Sequence, residues 1–134
     1  MIEEDIAARF AADAGAIALG VAGRFYPVEA PPDLAPPYVV YRRLDTETFD
    51  SYAASVSVHS VPFAIEAHAA SYAEACAIGA ALKPIFDGWQ ADHPATLMSM
   101  TYAGEHDGAG DYDEAQRRRR SFCRELVFVA LIRA

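Results

Sequence analysis

Hydrophobic positions along this chain change their spacing several times, and each change predicts a different element. In residues 2 to 14, Ile2, Ile6 and Phe10 recur at every fourth position, and residues 3 to 5, in the first turn, are acidic. This pattern predicts a short helix that Gly15 ends. Residues 38 to 44 open with four aromatic and β-branched side chains, Tyr38 to Tyr41, which predicts a strand over this stretch. The chain therefore begins with a helix and then enters a sheet.

Prolines mark how the chain enters that sheet. Two short aromatic runs, Gly23–Val28 and Pro36–Arg43, are separated by a spacer that contains Pro31 and Pro32. Proline fixes the backbone angle φ and has no N–H to donate, so it is expected just outside residues that pair in a sheet. Both runs are therefore predicted to be strand segments.

The next apolar segment changes its parity partway along. Val56 and Val58 share one parity, whereas Phe63 and Ile65 share the other, so one unbroken strand would turn its apolar side over. A β-bulge near Pro62 would resolve this change, because proline is tolerated at bulges and edges. The polar stretch from 45 to 55 before this strand is predicted to be a hairpin loop.

A second helix is predicted from 71 to 87. Ser71 and Glu74 have the spacing of a capping box, and Asp87-Gly88 supplies a stop after Pro84. The apolar stripe predicted to face the sheet consists of Tyr72, Ala75, Cys76, Gly79, Leu82 and Phe86.

Two further strands complete the predicted fold. Residues 97 to 102 alternate, residues 105 to 116 form an acidic loop, and residues 122 to 132 are apolar on both faces beyond Glu125. A strand with two apolar faces is central and covered on both sides, so the second cover is either the N-terminal helix or a neighbouring subunit. The prediction is an α+β fold: a mainly antiparallel sheet of four to five strands with an N-terminal and a central helix packed on it.

Composition narrows the class of protein. With 134 residues the chain is predicted to be a single domain spanning residues 1 to 134. The net charge of -8 disfavours a nucleic-acid-binding protein, because affinity for phosphates comes chiefly from lysine and arginine. The acidic N-terminus and the lack of a long apolar run predict a soluble intracellular product with no membrane partner.

Side chains with catalytic or metal-binding potential are scattered along the sequence. The four histidines, at positions 59, 68, 93 and 106, have no i, i+4 spacing, and Cys76 and Cys123 have neither metal nor redox spacing. Buried thiols are favoured over a disulfide. The acidic loop lacks the ligand spacing of a calcium site. The prediction is therefore no catalytic residue, no cofactor and no metal site.

The sharpest charge feature is the arginine run from 117 to 120. Alternate residues of a strand point to opposite faces, so the run cannot form a one-sided patch for nucleic acid. Two hypotheses remain: a solvated strand end, or pairing with the acidic loop of a neighbouring subunit. The second predicts an interface to another subunit or to a tail or connector protein, formed by Arg42, Arg43, Asp107, Asp111, Asp113, Glu114, Arg117, Arg118, Arg119 and Arg120.

The order of these motifs resembles the small phage tail-completion proteins, also called tail terminators or head-to-tail joining proteins. The resemblance rests on the N-terminal helix and four further motifs in sequence. These are Gly23–Pro27, Pro37–Tyr41, a strand that ends in Glu66-Ala67-His68-Ala69, and the helix that opens at Ser71, followed by a closing hairpin.

This resemblance implies a non-enzymatic virion protein at the head-proximal end of a tail, present in the host cytoplasm during assembly. Such a protein forms a homo-hexameric ring that caps the tail tube protein and joins it to the head connector protein, while DNA passes through the lumen without specific binding. Two alternatives remain open. One is a small intracellular enzyme or ligand-binding module with a pocket near the central helix that uses His68 or Cys76, and the other is a DNA-binding adaptor.

Overall fold

The chain folds into a sheet with helices on one side. The computed structural model describes residues 2–44, 47–50, 57–90, 97–110, 112–119 and 121–133. The elements are α1 (Ile2–Ala12), α2 (Ala14–Ala18), β1 (Phe25–Pro27), β2 (Tyr38–Arg43), β3 (Glu47–Asp50), β4 (Ser57–Ala69), α3 (Tyr72–Phe86), β5 (Leu97–Gly108), β6 (Tyr112–Asp113), β7 (Arg118–Arg119) and β8 (Phe122–Arg133). None of the described helices is long and apolar enough to cross a membrane.

The main sheet is mixed but mostly antiparallel. Its strands follow the order β1-β2-β4-β8-β5, and β3 pairs with the end of β4 that β2 does not reach. Only β1 runs parallel to its neighbour, β2, among the strand pairs described. The predicted α+β class with a mainly antiparallel sheet and two packed helices is confirmed.

The hydrophobic core lies between the helices and one face of the sheet. Ile6 and Phe10 of α1 join Ile78 and Leu82 of α3 in a single buried cluster with the sheet. From the sheet this cluster takes alternate residues, which are Val39, Tyr41, Phe63, Ile65, Ala67, Leu126, Phe128 and Ala130. The opposite face, here called the outer face, carries Tyr38, Val40, Arg42, Ala64, Glu66, His68, Cys123, Glu125, Val127, Val129 and Leu131.

The first helix is shorter than predicted. α1 ends at Ala12, and the Asp13 side chain accepts a hydrogen bond of 3.0 Å from the backbone N–H of Ala16. An aspartate that binds the backbone in this way begins a new helix rather than continuing the old one. Gly15 therefore lies inside α2 and does not end α1.

At Pro62 the irregularity lies on the β2–β3 side of β4 and not on the β8 side, because the register there shifts by one residue between Arg43↔Phe63 and Glu47↔Ser60. The register between β4 and β8 runs without a shift from Val58 to Ala69. The carbonyl of Pro62 accepts from the N–H of Leu44 at 2.8 Å. The N and O atoms of a strand residue point to the same side. The position of the absent N–H of Pro62 therefore faces Leu44 and not β8, so no hydrogen bond to β8 is lost.

Two further register shifts lie in β5. Its register with β8 shifts between Leu97 and Ser99 and again between Tyr102 and Gly104. Gly104 has a φ of 147°, which favours glycine. These irregularities bend the strand that forms one edge of the sheet.

The central helix begins where its sequence predicts. Ser71 caps α3 by accepting from the N–H of Glu74 at 3.2 Å, and the helix ends at Phe86, before Asp87. The buried stripe is rotated relative to the prediction: Tyr72 is about half exposed and Cys76 is partly exposed. The buried residues of α3 are Ala75, Ile78, Gly79, Leu82, Ile85 and Phe86.

Gly79 allows this helix to approach the sheet closely. A Cβ atom added there would lie 3.0 Å from Cγ of Arg124 and 3.2 Å from Cδ1 of Leu126. We expect Gly79→Leu to lower the free energy of unfolding by about 1–3 kcal/mol through overpacking, although leucine forms helix better than glycine. Ala80→Leu, at an exposed position of the same helix, should lower the free energy of unfolding less. Urea titration of both variants measures the difference. Equal losses for the two variants would contradict this account of the helix–sheet contact.

The last strand is central, as predicted, but its second cover is not the N-terminal helix. β8 lies between β4 and β5. α1 contributes Ile6 and Phe10 to the same core as α3, so both helices cover one face. On the outer face Val127 and Val129 are half-buried and Leu131 is 37% exposed.

Two predicted loops contain strands. β3 forms within the stretch from 45 to 55, and β5 extends to Gly108, so the acidic segment begins as a strand. Between β5 and β8, β6 and β7 form a small separate hairpin. Polar residues can pair in a sheet as readily as apolar ones once the core has set the register of the strands.

Candidate functional site

A cluster of charged side chains lies on the outer face, across three neighbouring strands. Arg42 of β2 places its two terminal nitrogens 2.8 Å from Oε2 of Glu66 and 2.7 Å from Oε1 of Glu125. The β4–β8 register makes Glu66 and Glu125 direct partners. Both carboxylates are mostly buried, with side-chain exposures of 13% and 10%. Arg42 therefore holds together two acidic groups that would otherwise repel each other.

The cluster continues across from β8 to the neighbouring strand β5. His106 places Nε2 2.8 Å from Oε2 of Glu125. Burial raises the pKa of Glu66, but hydrogen bonds from His68 and Arg42 outweigh it, so the net pKa lies below the usual glutamate value. Glu66 is thus an ionised acceptor in a partly dry environment.

One end of the cluster brings together a histidine and a cysteine. His68 and Cys123 are direct partners across β4 and β8. Nδ1 of His68 lies 3.3 Å from the Ser121 hydroxyl, and the His68 ring stacks on Tyr38 with centroids 4.8 Å apart. Burial, followed by the nearby charges of Glu66 and Glu125, raises the pKa of the Cys123 thiol to about 12. The thiol is therefore neutral and unreactive as a nucleophile in the metal-free protein.

This convergence is what sequence reasoning missed. Glu66, His68 and Cys123 each offer a ligand atom, and these atoms lie within 4.8 Å of one another. The available signal was that two strongly apolar strands are each interrupted by polar residues two apart, at positions 66 and 68 and at positions 123 and 125. Without the register, nothing in the sequence aligned these two pairs.

A cleft opens beside this end of the cluster. Residues 28 to 34 cross the outer face and enclose a space of about 280 Å³ that Tyr38, Val40, Glu66 and His68 also line. Val28 has a φ of 67°, a backbone conformation that a β-branched residue rarely adopts. The cleft gives solvent a route to the carboxylate and the imidazole.

His68, one of the two residues predicted to line a pocket between the central helix and the sheet, does not face that space. His68 lies on the outer face, whereas Cys76 belongs to α3, which packs against the opposite face. Near the end of α3 the core fills the space between helix and sheet, where Phe86 meets Phe128 edge to face at 5.6 Å, and a space of about 250 Å³ lies at the start of α3, beside Tyr72 and Phe122. A shared site for these two residues is therefore ruled out by the sheet between them.

A second charged network joins α3 to the end of β5. Arg124 donates to Glu105 and Asp107, both at 2.8 Å, and the Tyr72 hydroxyl donates to Asp107 at 3.0 Å. Hydrogen bonds from Arg124 and then Tyr72 lower the pKa of Asp107. These contacts fix the start of α3 over the sheet and leave the Asp107 carboxylate largely occupied within the chain.

Three of the predicted interface residues have partners within the same chain. Arg42 binds Glu66 and Glu125, Arg43 lies 2.6 Å from Glu3, and Asp107 binds Arg124. Their predicted contacts with another subunit stay a prediction. Any such contact would have to share these charges with partners that they already hold.

The remaining predicted interface residues belong to the β6–β7 hairpin or adjoin it. Exposed Glu114 and Arg117 lie in its turn, and the register places Asp113 opposite Arg118. Arg119 pairs with Tyr112 in the same short ladder, whereas Asp111 and Arg120 lie outside the described residues. The acidic and arginine-rich segments thus face each other within one chain at the level of the backbone.

Comparison with known proteins identifies a shared fold. One chain in a solved structure, the virion of a native gene transfer agent (GTA) particle, superposes with a TM-score of 0.70 at 22% sequence identity. The alignment covers 96% of this chain and 92% of that chain. No protein-family model and no curated protein matches the sequence. The two chains therefore have the same architecture from end to end.

Proposed function

We propose that this protein is a non-enzymatic structural component of a phage or phage-like virion. The observation that carries the proposal is the end-to-end fold likeness to a chain of a gene transfer agent virion. The likeness extends over 96% of this chain and 92% of that chain, so it is not confined to one part of the fold. The virion is accordingly its proposed location, and other virion proteins are its proposed partners.

More narrowly, the protein is proposed to form a homo-hexameric ring that caps the tail tube and joins it to the head connector. Support comes from the tail-completion motifs, which occupy structured positions. Gly23–Pro27 leads into β1, Pro37–Tyr41 into β2, and the Ser71 motif caps α3. The resemblance therefore follows the framework of the fold and does not depend on loops.

The outer face supports self-association. Val127, Val129 and Leu131 form an apolar row on the central strand. They lie on the face of the sheet that neither α1 nor α3 covers. Burial of such a row stabilises association by roughly 25 cal/mol for each Å² of apolar surface removed from water. A second copy of the chain is proposed to cover this row. This is the neighbouring subunit that the sequence offered as one of two covers for the last strand.

The acidic balance has a proposed role in such a ring. A net charge of -8 would leave a lumen that repels phosphate, so DNA could pass without being held. A ring structure whose lumen is lined mainly by arginine would overturn this part of the proposal.

The ring itself can be tested directly. Purified protein should be examined by light scattering coupled to size-exclusion chromatography and by negative-stain microscopy, alone and with isolated tail tubes. Six-fold annuli or tube ends capped by the protein are the expected result. A monomer that neither self-associates at high concentration nor binds tube ends would contradict the proposal.

Leu131→Asp should prevent assembly and leave the monomer folded. Leu131 is 37% exposed, so the substitution places a charge on the outer face without opening the core. Ile17→Asp is the matched control, because Ile17 is 59% exposed and lies on α2. We expect the assembled fraction, measured by light scattering, to fall at least about tenfold for Leu131→Asp alone. Equal assembly of both variants would show that the outer face is not the subunit interface.

A further inference from the structure

The row of the outer face nearest the cleft has the composition of a transition-metal site. The ligand atoms are a carboxylate oxygen, an imidazole nitrogen and a sulfur. Oε1 of Glu66 lies 3.9 Å from Sγ of Cys123, and Oε2 of Glu66 lies 4.0 Å from Nε2 of His68. Cysteine, histidine and glutamate are the ordinary ligands of Zn²⁺, whereas calcium and magnesium prefer oxygen alone.

The separations suit one ion with small side-chain adjustments. Zinc bonds of about 2.0–2.3 Å in a tetrahedron place neighbouring ligand atoms about 3.5 Å apart. One ligand atom from each of the three residues lies within 4.8 Å of the others, so rotations about side-chain bonds would bring them to that separation. The backbone need not move, because His68 and Cys123 are direct partners in an unbroken ladder.

The ligands are held by a second layer of contacts. Ser121, which is buried, lies 3.3 Å from Nδ1 of His68, so the other ring nitrogen, Nε2, faces the glutamate. Arg42 occupies Oε2 of Glu66 at 2.8 Å and leaves Oε1 turned toward Cys123. Metal-binding histidines and carboxylates characteristically carry such outer contacts, which fix their orientation.

Charge also favours a divalent cation here. Two mostly buried carboxylates, Glu66 and Glu125, share one arginine, Arg42. When the Cys123 thiol binds a metal as thiolate, the group carries three negative charges. Arg42 supplies one positive charge and a divalent ion the other two, so the buried cluster becomes neutral.

We propose that Glu66, His68 and Cys123 bind one Zn²⁺ ion, with a water molecule from the adjoining cleft in the fourth position. The ion would join β4 to β8 at the end of the sheet nearest residues 28 to 34. This site does not depend on the proposed ring, and either proposal can fail without the other.

Cobalt spectroscopy provides the test, because Co²⁺ takes tetrahedral zinc sites and a thiolate ligand gives it a charge-transfer band in the near ultraviolet. The full chain, purified without a histidine tag, stripped with chelator and kept reduced, is titrated with Co²⁺. We expect this band to saturate at about one ion per chain and to disappear on addition of Zn²⁺. Absence of the band in the wild-type protein would overturn the proposal.

The chain offers matched controls of each ligand type. Cys76→Ser should keep the band and Cys123→Ser should abolish it, while His68→Gln should weaken Zn²⁺ binding at least about tenfold and His59→Gln, at the other end of β4, should leave it unchanged. Loss of the band in Cys76→Ser would overturn the proposal. If Cys123→Ser does not fold by circular dichroism, Cys76→Ser still decides, because Cys123 is then the one cysteine left in the sequence.

Discussion

Replacing Phe128 by alanine is expected to lower the free energy of unfolding by about 3–5 kcal/mol. Phe128 is fully buried on the central strand, with its ring edge to face with Phe86 at 5.6 Å and with Tyr102 at 5.9 Å. It therefore connects β8 both to α3 and to β5. Removal of the ring leaves a cavity that rigid neighbours on two sides cannot close. Urea unfolding followed by circular dichroism measures the loss.

Leu131→Ala is the control for this variant. Leu131 lies three residues further along the same strand but on the outer face, where it is 37% exposed. Its truncation should cost less than about 1 kcal/mol, as is usual for surface positions. If the two substitutions cost the same, the core cannot be confined to the helix side of the sheet.

Arg42→Met is expected to lower the free energy of unfolding by about 1–3 kcal/mol. Methionine keeps the apolar stem but removes the cation that lies within 2.8 Å of Glu66 and 2.7 Å of Glu125. Loss of one partner from a fully buried ion pair costs about 3–5 kcal/mol. The expectation is smaller because the Arg42 side chain is 38% exposed and solvent screens part of the charge. The measurement is urea unfolding in the presence of chelator, so that no metal contributes.

Arg43→Met is the adjacent control. Arg43 pairs with Glu3, but both side chains are more accessible, at 40% and 26% exposure. Such a pair contributes about 1 kcal/mol or less. A double-mutant cycle of Arg42→Met with Glu66→Gln should give a coupling of at least about 0.5 kcal/mol, because neutralising the carboxylate removes much of what the arginine balanced. Zero coupling would mean that Arg42 does not stabilise the fold through its ion pair with Glu66.

Local signals along the chain predicted elements well where they acted within a few residues. The Ser71 cap, the aromatic run at 38 to 41 and the doubly apolar residues 126 to 132 are each determined by neighbours in sequence. These segments became α3, β2 and the central strand β8. The mainly antiparallel α+β architecture followed from their order.

Features that depend on register could not be predicted from the sequence. Pro62 carries the sequence signal of a bulge, yet its missing donor is harmless because β2 ends where Pro62 faces it. The register shifts in β5 arise from matching that strand to β8 over its whole length. Likewise, His68 meets Cys123 only because β4 and β8 pair in one register. A shift of a single residue would have placed one of them in the core.

The edge strand β5 bears on how copies of this protein can meet. Its irregular register breaks the regular spacing that an added strand would need. Around Met100, the backbone groups that point away from β8 already have hydrogen-bond partners. There the backbone of Met100 bonds to Gly88 and Trp89, each at 2.9 Å, and the N–H of Tyr102 bonds to the Asp87 carboxylate at 3.0 Å. Backbone pairing at an open edge can extend from copy to copy, as in fibres, wherever the pairing does not close. A subunit that blocks it is left to associate through side chains, and contacts of that kind can close into an assembly of fixed size.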